Sequence, residues 1–166
     1  MRHCAGNGFI VQAVGLIESS PKPKGPNAVN GNRYLTLWLS AIGLHALHQI
    51  EESIAFFSWY VQNADHIALW ARIVTVERAE TWAQHPGWFA AGSVAQIVAV
   101  SLVALLLRRR ETLTRYALTI YVAGLAFFLI WHVVIAWQAQ SYAPVMVTCI
   151  GGLYLIPHWL WRLAKG

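Results

Sequence analysis

At 166 residues, the chain has the length of one domain, and apolar residue types make up 57% of it while charged types make up only 11%. Soluble proteins have about 45–50% and about 25% of these types, and a soluble chain this poor in charge would expose large apolar patches, so the totals predict an integral membrane protein. The net charge of +5 does not indicate nucleic-acid binding, because the basic residues flank apolar stretches instead of forming one patch.

The N-terminal residues 1–32 are predicted to form a flexible tail. Residues 21–26 read Pro-Lys-Pro-Lys-Gly-Pro, which is typical of a loop. The weakly apolar stretch 8–17 resembles a signal peptide only faintly, since no small-residue cleavage site follows it. A translation start further downstream, which would leave residues 1–30 outside the protein, is the alternative. Residues 33–166 are predicted to form a single transmembrane domain.

Four later stretches are long and apolar enough to cross a bilayer, which takes roughly 20 helical residues. They are residues 34–61, 87–107, 116–137 and 142–161. The first is the least apolar, because it contains Glu51 and Glu52. The predicted fold class is therefore all-α, a four-helix transmembrane bundle.

Basic residues set the predicted orientation of this bundle. The arginines at 108–110 lie between the second and third spans, which places that loop and both chain termini in the cytoplasm. Between the first two spans, residues 63–86 carry Ile67, Trp70 and Val74 at helical spacing among charged residues. This pattern predicts a short amphipathic helix on the outer surface.

The middle of the first span carries a stripe of ionisable side chains. At about 100° per residue, His45, His48 and Glu52 fall within an arc of about 60°, which Glu51 widens to about 120°. A carboxylate at the bilayer centre costs of order 2–3 kcal/mol, so the stripe must face the other helices. The rise of about 1.5 Å per residue brings His132 of the third span to the depth of His48 and Glu52.

Two chemistries fit these residues. The first is a site for a divalent metal such as zinc, iron or manganese, whose predicted ligands are His45, His48, Glu52 and His132. Glu51 then supports the ligands or acts as a general base, so Glu51 and His48 are the predicted catalytic residues. In the second chemistry no metal is bound, and neighbouring histidine and glutamate side chains act as an acid–base pair on a lipid-soluble substrate.

Several polar residues of the spans also have purely structural interpretations. The whole stripe could be a hydrogen-bonded network that only fixes helix packing. His132 alone could bond a backbone carbonyl, and His158 is expected to reach the membrane interface. Gln96 is typical of helix–helix contacts. Cys4 and Cys149 show neither metal-type spacing nor a disulfide pattern.

Residues 48–52 read His-Gln-Ile-Glu-Glu, and this H-x-x-E-E pattern resembles the signature of the HXXEE family of small bacterial membrane proteins. His132, Thr148 and the Tyr-Ala-Pro at 142–144 resemble the later part of the same family, so the resemblance covers about residues 34–161. It implies an integral protein of the bacterial inner (plasma) membrane and points to the histidine and the two glutamates of the motif. The family is largely of unknown function, so the resemblance implies no reaction.

Three functions are consistent with these patterns. The chain could be a membrane-embedded enzyme acting on a hydrophobic, lipid-like small molecule, with membrane lipids around it and no nucleic-acid partner. It could instead be a proton or cation relay through Glu51, Glu52 and His48, although a transporter usually has repeats or broken helices. It could also be a structural subunit. The pattern leaves the oligomeric state open.

Overall fold

The computed structural model describes the backbone of residues 30–165 and the side chains of residues 34–165. Within that range every regular element is helical, which confirms the all-α class. The helices begin at Asn30, so residues 1–29 of the predicted tail lie outside the described residues.

The first predicted span is a helix with an irregular turn at its centre. Helix α1 spans Asn30–Glu51, a π-helical turn follows at Glu52–Phe56, and helix α2 spans Phe57–Asn63. The residues on both sides of the turn keep right-handed helical angles, so the axis continues without a break. A π-turn accommodates one extra residue and is often found at functional sites. The hydrophobic pattern gave no sign of it.

The connection after α2 differs from the predicted amphipathic helix. Short 3₁₀ turns occupy Ala64–His66 and Leu69–Ala71, and only Val76–Gln84 forms an α-helix, here α3. Trp70 is 77% exposed while Ile67 is buried. The prediction that Ile67 and Trp70 share one helical face is therefore wrong, because the 3₁₀ turns interrupt the 3.6-residue period.

This connection is held against the helix ends by hydrogen bonds to its backbone. Trp131 donates from Nε1 to the carbonyl of Ala71 at 2.6 Å, and Tyr60 donates from its hydroxyl to the carbonyl of Val74 at 2.7 Å. Such bonds satisfy carbonyl groups that have no partner inside a helix. The segment therefore closes one end of the bundle.

Three long helices complete the bundle. Helix α4 spans Pro86–Leu107, α5 spans Glu111–Gln138 and α6 spans Met146–Ala164. Pro86 suits the first turn of α4, where a backbone N–H has no helical partner. The α5–α6 turn contains Gln140 with φ of 50°, a left-handed conformation of the kind that ends helices.

Helix α1 lies at the centre of this arrangement. It packs against α4, α5 and α6, while α5 and α6 form a closely packed antiparallel hairpin. Within the described chain, α4 contributes no buried residue. Any site built on the inner face of α1 is therefore enclosed by α4, α5 and α6 together.

Two of the described helices, α4 and α5, are long and apolar enough to span a membrane by length and composition. Helices α1 and α6 do not meet the same criterion within the described residues. The polar stripe on α1 lowers its hydropathy, as the interruption at Glu51 and Glu52 leads one to expect.

Three helices approach one another closely at Gly152 of α6. A methyl group added there would collide with side-chain carbons of Leu129 on α5 and Leu44 on α1. At the preceding residue, Gly151, an added methyl group would meet nothing within 4 Å. The absence of a side chain at 152 therefore lets three helices come together.

We expect Gly152→Leu to destabilise the protein by about 1–3 kcal/mol, because the larger side chain overpacks the contact between α1, α5 and α6. Thermal unfolding in detergent, followed by circular dichroism, measures the effect. Gly151→Leu is the matched control and should unfold close to the parent temperature. Equal unfolding temperatures for Gly152→Leu and the parent would contradict this packing.

Candidate functional site

The polar stripe of α1 points into the bundle. His45, His48 and Glu52 are exposed by only 6%, 2% and 9%, and Glu51 is half-buried. This burial confirms that the stripe faces the neighbouring helices. The stripe ends at Glu52, the first residue of the π-turn.

His48 is oriented by a hydrogen-bonded chain to α6. Its Nδ1 lies 2.8 Å from Oγ1 of Thr148, and that hydroxyl lies 2.5 Å from Oε2 of Glu51. The backbone N–H of Thr148 also donates to Oε2 of Glu51, at 3.3 Å. Since the hydroxyl donates its one proton to the carboxylate, it accepts from His48. The ring proton of His48 is thereby assigned to Nδ1, which leaves a lone pair on Nε2.

His132 on α5, like His48, is oriented by a hydrogen bond at its Nδ1. Its Nδ1 lies 2.8 Å from the backbone carbonyl of Phe128, one helical turn earlier. A carbonyl can only accept, so the proton again belongs on Nδ1 and Nε2 has a free lone pair in the neutral ring. The His132 ring contacts that of His48 edge to face, with 4.7 Å between centroids. This contact confirms that the two histidines lie at the same depth.

The free nitrogens meet a thiol and a carboxylate. Nε2 of His48 and Nε2 of His132 are both buried without a hydrogen-bond partner. His48, His132 and Cys149 each offer a ligand atom, and these atoms lie within 4.8 Å of one another. Oε1 of Glu52 lies 3.1 Å from Nε2 of His132, close enough for an ion pair but outside hydrogen-bonding geometry. This buried group could hold a metal ion.

His45 belongs to a different network. Its Nδ1 lies 2.8 Å from the hydroxyl of Tyr121 on α5, and its Nε2 lies 3.0 Å from Nε2 of Gln49. With both ring nitrogens engaged, His45 has no lone pair free for a metal in this arrangement. Of the four predicted ligands, His48 and His132 therefore lie together with Cys149, Glu52 lies beside His132, and His45 belongs to a separate network.

A cavity of about 320 Å³ adjoins the group between α1, α3, α4 and α5. His48 and Glu52 line it, whereas His132 and Cys149 do not. Most of the remaining wall is aromatic or aliphatic, including Phe56, Phe57, Trp82, Phe89, Phe128 and Trp131. An apolar cavity with a few polar groups is typical of a small-molecule site. The candidate metal group therefore borders the cavity on the side where His48 and Glu52 lie.

The other predicted residues lie around this centre at different distances. Glu51 bonds Thr148 and does not line the cavity, so it supports His48 through Thr148. Gln96 lines the cavity wall from α4. His158 is exposed and stacks on Trp161, with 6.1 Å between ring centroids.

Sequence reasoning missed two members of the site. Cys149 was passed over because no second cysteine or histidine stands near it in the sequence, and its partners come from α1 and α5. Thr148 was noted only within a family-like stretch. The only sequence clue to both is that Thr148 and Cys149 are adjacent. Neighbouring residues can supply a hydroxyl that orients a metal ligand and a thiol that binds the metal.

Comparison with known protein families finds a match that is named for the motif on α1. The family described as "Protein of unknown function with HXXEE motif" matches residues 29–161, which include every residue of the candidate site. No curated protein and no solved structure matches the chain. The match covers well over half of the 166 residues, and the chain therefore belongs to the HXXEE family.

Proposed function

We propose that this protein is a four-span membrane protein that binds a zinc ion inside its bundle and acts on an apolar small molecule held in the adjoining cavity. One observation carries the proposal. Two buried histidines have Nδ1 bound to an acceptor and Nε2 unpartnered, and both stand beside the Cys149 thiol. Metal-binding histidines are held in this way, because an acceptor at the second nitrogen fixes the tautomer and the ring orientation.

The ligand types favour zinc over the other divalent metals expected from the sequence. A thiolate with two imidazoles suits zinc, whereas manganese prefers oxygen ligands. We assign His48, His132 and Cys149 as ligands, with Glu52 beside them as a fourth ligand or as the group facing the substrate. Cys149 would bind as the thiolate, so metal binding releases its proton.

Glu52 and His48 are the members of the group that face the cavity. A bound zinc ion supplies Lewis acidity, which polarises an oxygen atom or activates water. Glu52 is placed to take or return a proton on the cavity side. Thr148 and Glu51 keep the Nε2 atom of His48 aimed at the ligand group. In this proposal Glu51 is a positioning residue, and Glu52 takes the acid–base role first expected of Glu51.

Exposed apolar side chains support a membrane location for all four long helices. In addition to α4 and α5, α1 exposes Leu39 by 62% and Ile54 of its π-turn by 76%, and α6 exposes Val147 by 67% and Ile150 by 65%. In water these faces would form a large apolar surface, whereas lipid accepts them. With the basic loop at 108–110 in the cytoplasm, both termini are cytoplasmic and the protein resides in the bacterial inner membrane.

Cysteine labelling tests the topology. In intact spheroplasts carrying the Cys4→Ser background, a membrane-impermeant maleimide should label Gln84→Cys and spare Arg109→Cys. Both variants should be labelled after permeabilisation, which controls for the reactivity of each thiol. Buried Cys149 should stay unlabelled in the folded protein. Labelling of Arg109→Cys from outside would contradict the orientation.

Elemental analysis tests the metal centre. Protein purified in detergent should contain a stoichiometric amount of zinc, and His48→Ala, His132→Ala and Cys149→Ala should each lose most of it. His158→Ala is the matched control, since that histidine is exposed outside the group, and it should retain parent zinc content. Circular dichroism confirms that the variants remain folded.

A parent protein without metal would overturn the zinc assignment. The second candidate function would then stand, because Nε2 of His132 lies 3.1 Å from Oε1 of Glu52 and this pair could exchange a proton without a metal. Zinc retained in all three ligand variants would also contradict the assigned ligands.

Thr148→Val tests the support of His48. The change keeps the shape of the side chain but removes the acceptor for Nδ1 of His48, and loss of such a contact lowers metal affinity by about 10–100-fold. Competition with a zinc-binding dye measures the affinity. Thr119→Val is the control, because that hydroxyl bonds only the carbonyl of Arg115 in its own helix. Equal affinities for Thr148→Val and the parent would refute the role of the hydroxyl.

A further inference from the structure

A second chain of hydrogen bonds crosses the bundle next to the candidate metal group. The Ser93 hydroxyl on α4 lies 2.6 Å from Oε1 of Gln49 and 2.9 Å from the carbonyl of Phe89, and Nε2 of Gln49 lies 3.0 Å from Nε2 of His45. Nδ1 of His45 then lies 2.8 Å from the hydroxyl of Tyr121. The chain links α4, α1 and α5 and involves none of the assigned zinc ligands.

The direction of this chain determines what Tyr121 offers. In the orientation that directs Oε1 of Gln49 at Ser93, the amide nitrogen donates to Nε2 of His45, and the ring proton is then on Nδ1. Nδ1 of His45 therefore donates to the oxygen of Tyr121. Within the described part of the chain, the Tyr121 hydroxyl has no hydrogen-bond partner other than His45. Its own proton is left for a further acceptor, and Tyr121 lines the cavity.

The cavity has a polar half and an aromatic half. Among its lining residues, Gln49, His45 and Tyr121 are joined by hydrogen bonds, whereas Phe57 and Phe89 contact the Trp82 ring of α3. Its volume of about 320 Å³ is near the lower end of the range of about 300–1,000 Å³ for small-molecule sites. Such a space suits one small molecule or one chain segment with a single polar group, and it is too small for a whole membrane lipid.

The cavity opens sideways between α4 and α5. Among its lining residues, Ile120, Gly124 and Phe128 form one exposed row on α5, at successive four-residue steps, and Gln96 is exposed on α4. No atom outside the local helix lies within 4 Å of the position that a side chain at Gly124 would take. Because this side of the bundle faces lipid in the proposed membrane placement, the opening leads to the bilayer and not to water.

The geometry points to a substrate class for this cavity: an apolar small molecule with one acceptor oxygen, such as a carbonyl group, that enters from the bilayer between α4 and α5. The Tyr121 hydroxyl donates to that oxygen, and the Ser93–Gln49–His45 chain positions the hydroxyl. The inference rests on the proposed function for the reaction that follows, but binding itself does not require zinc.

Quenching of tryptophan fluorescence tests the role of Tyr121. The probes are an ω-bromoalkyl methyl ketone and a bromoalkane of equal length, whose bromine quenches Trp82 and Trp131 at the cavity wall. The parent should bind the ketone more tightly than the bromoalkane by about 3–10-fold, the range expected for one neutral hydrogen bond. Tyr121→Phe should abolish this preference, and Tyr154→Phe, which changes an exposed tyrosine on α6, should keep it.

An undiminished ketone preference in Tyr121→Phe would overturn the inference. That result is also the one expected if the Gln49 amide had the opposite orientation, because the hydroxyl proton would then be donated to His45. His45→Ala adds a test of positioning: with Tyr121 intact, it should reduce the ratio of ketone affinity to bromoalkane affinity.

Gly124→Leu tests the access route. The added side chain should fill the opening and weaken or slow quenching by both probes at least about 10-fold. Gly151→Leu on α6 adds the same side chain away from the cavity, so it should bind as the parent does. Parent-like binding in Gly124→Leu would refute access between α4 and α5.

Cys149→Ala separates this inference from the proposed function. It removes an assigned zinc ligand that does not line the cavity. If the purified parent lacks zinc but the ketone preference still depends on Tyr121, the proposed zinc function fails and the substrate class stands. If Cys149→Ala loses the zinc that the parent contains, while the parent shows no ketone preference, the proposed zinc function stands and the substrate class fails.

Discussion

The fold depends on one constraint, which is that polar side chains on α1 must find partners inside an apolar bundle. Apolar surroundings cannot satisfy the hydrogen bonds of His45, His48, Glu51 or Glu52, so each of them needs a partner on another helix. Thr148 on α6 supplies it for His48 and Glu51, His132 on α5 lies beside Glu52, and Tyr121 supplies it for His45. These contacts fix the rotation and depth of α1 against α5 and α6.

A network that served only to fix packing would satisfy all of its members. Buried polar atoms without partners are costly, and proteins contain few of them. Here Nε2 of His48 and Nε2 of His132 have no hydrogen-bond partner within the described residues, although Oε1 of Glu52 lies 3.1 Å from the His132 nitrogen. The two open positions lie together near a thiol. This combination supports the proposed binding centre over a network that only fixes helix packing.

The part of this site that follows helical periodicity was predictable from the sequence. Residues on one helix share a face at fixed steps, so the inward direction of His48 and Glu52 followed from their spacing. The depth of His132 followed from the helical rise. The separation of His45 from His48 did not follow, because it depends on which α5 residue stands opposite each, and that depends on helix rotation. The place of Cys149 in the site could not be predicted for the same reason, since helix rotation decides which face of α6 lies against α1.

The connection after the first span was predicted less well for a different reason. The spacing of Ile67, Trp70 and Val74 imitates a helix, but the backbone there is held by side chains from other elements, such as Tyr60 and Trp131. Tertiary hydrogen bonds of this kind override a local period and leave no mark in the segment that receives them. The length and apolar composition that would let α4 and α5 span a membrane are, by contrast, properties of the sequence alone and could be predicted directly.

The π-turn at Glu52–Phe56 has a consequence for how this protein can change. An extra residue shifts the angular phase of the helix by about 100°. Upstream of it, the buried face carries histidine and glutamate; downstream, it carries Phe56, Phe57 and Tyr60. Deleting a single residue here would restore an unbroken α-helix yet swing one of these two faces outward. The length of this segment is therefore constrained more tightly than the identity of its exposed residues.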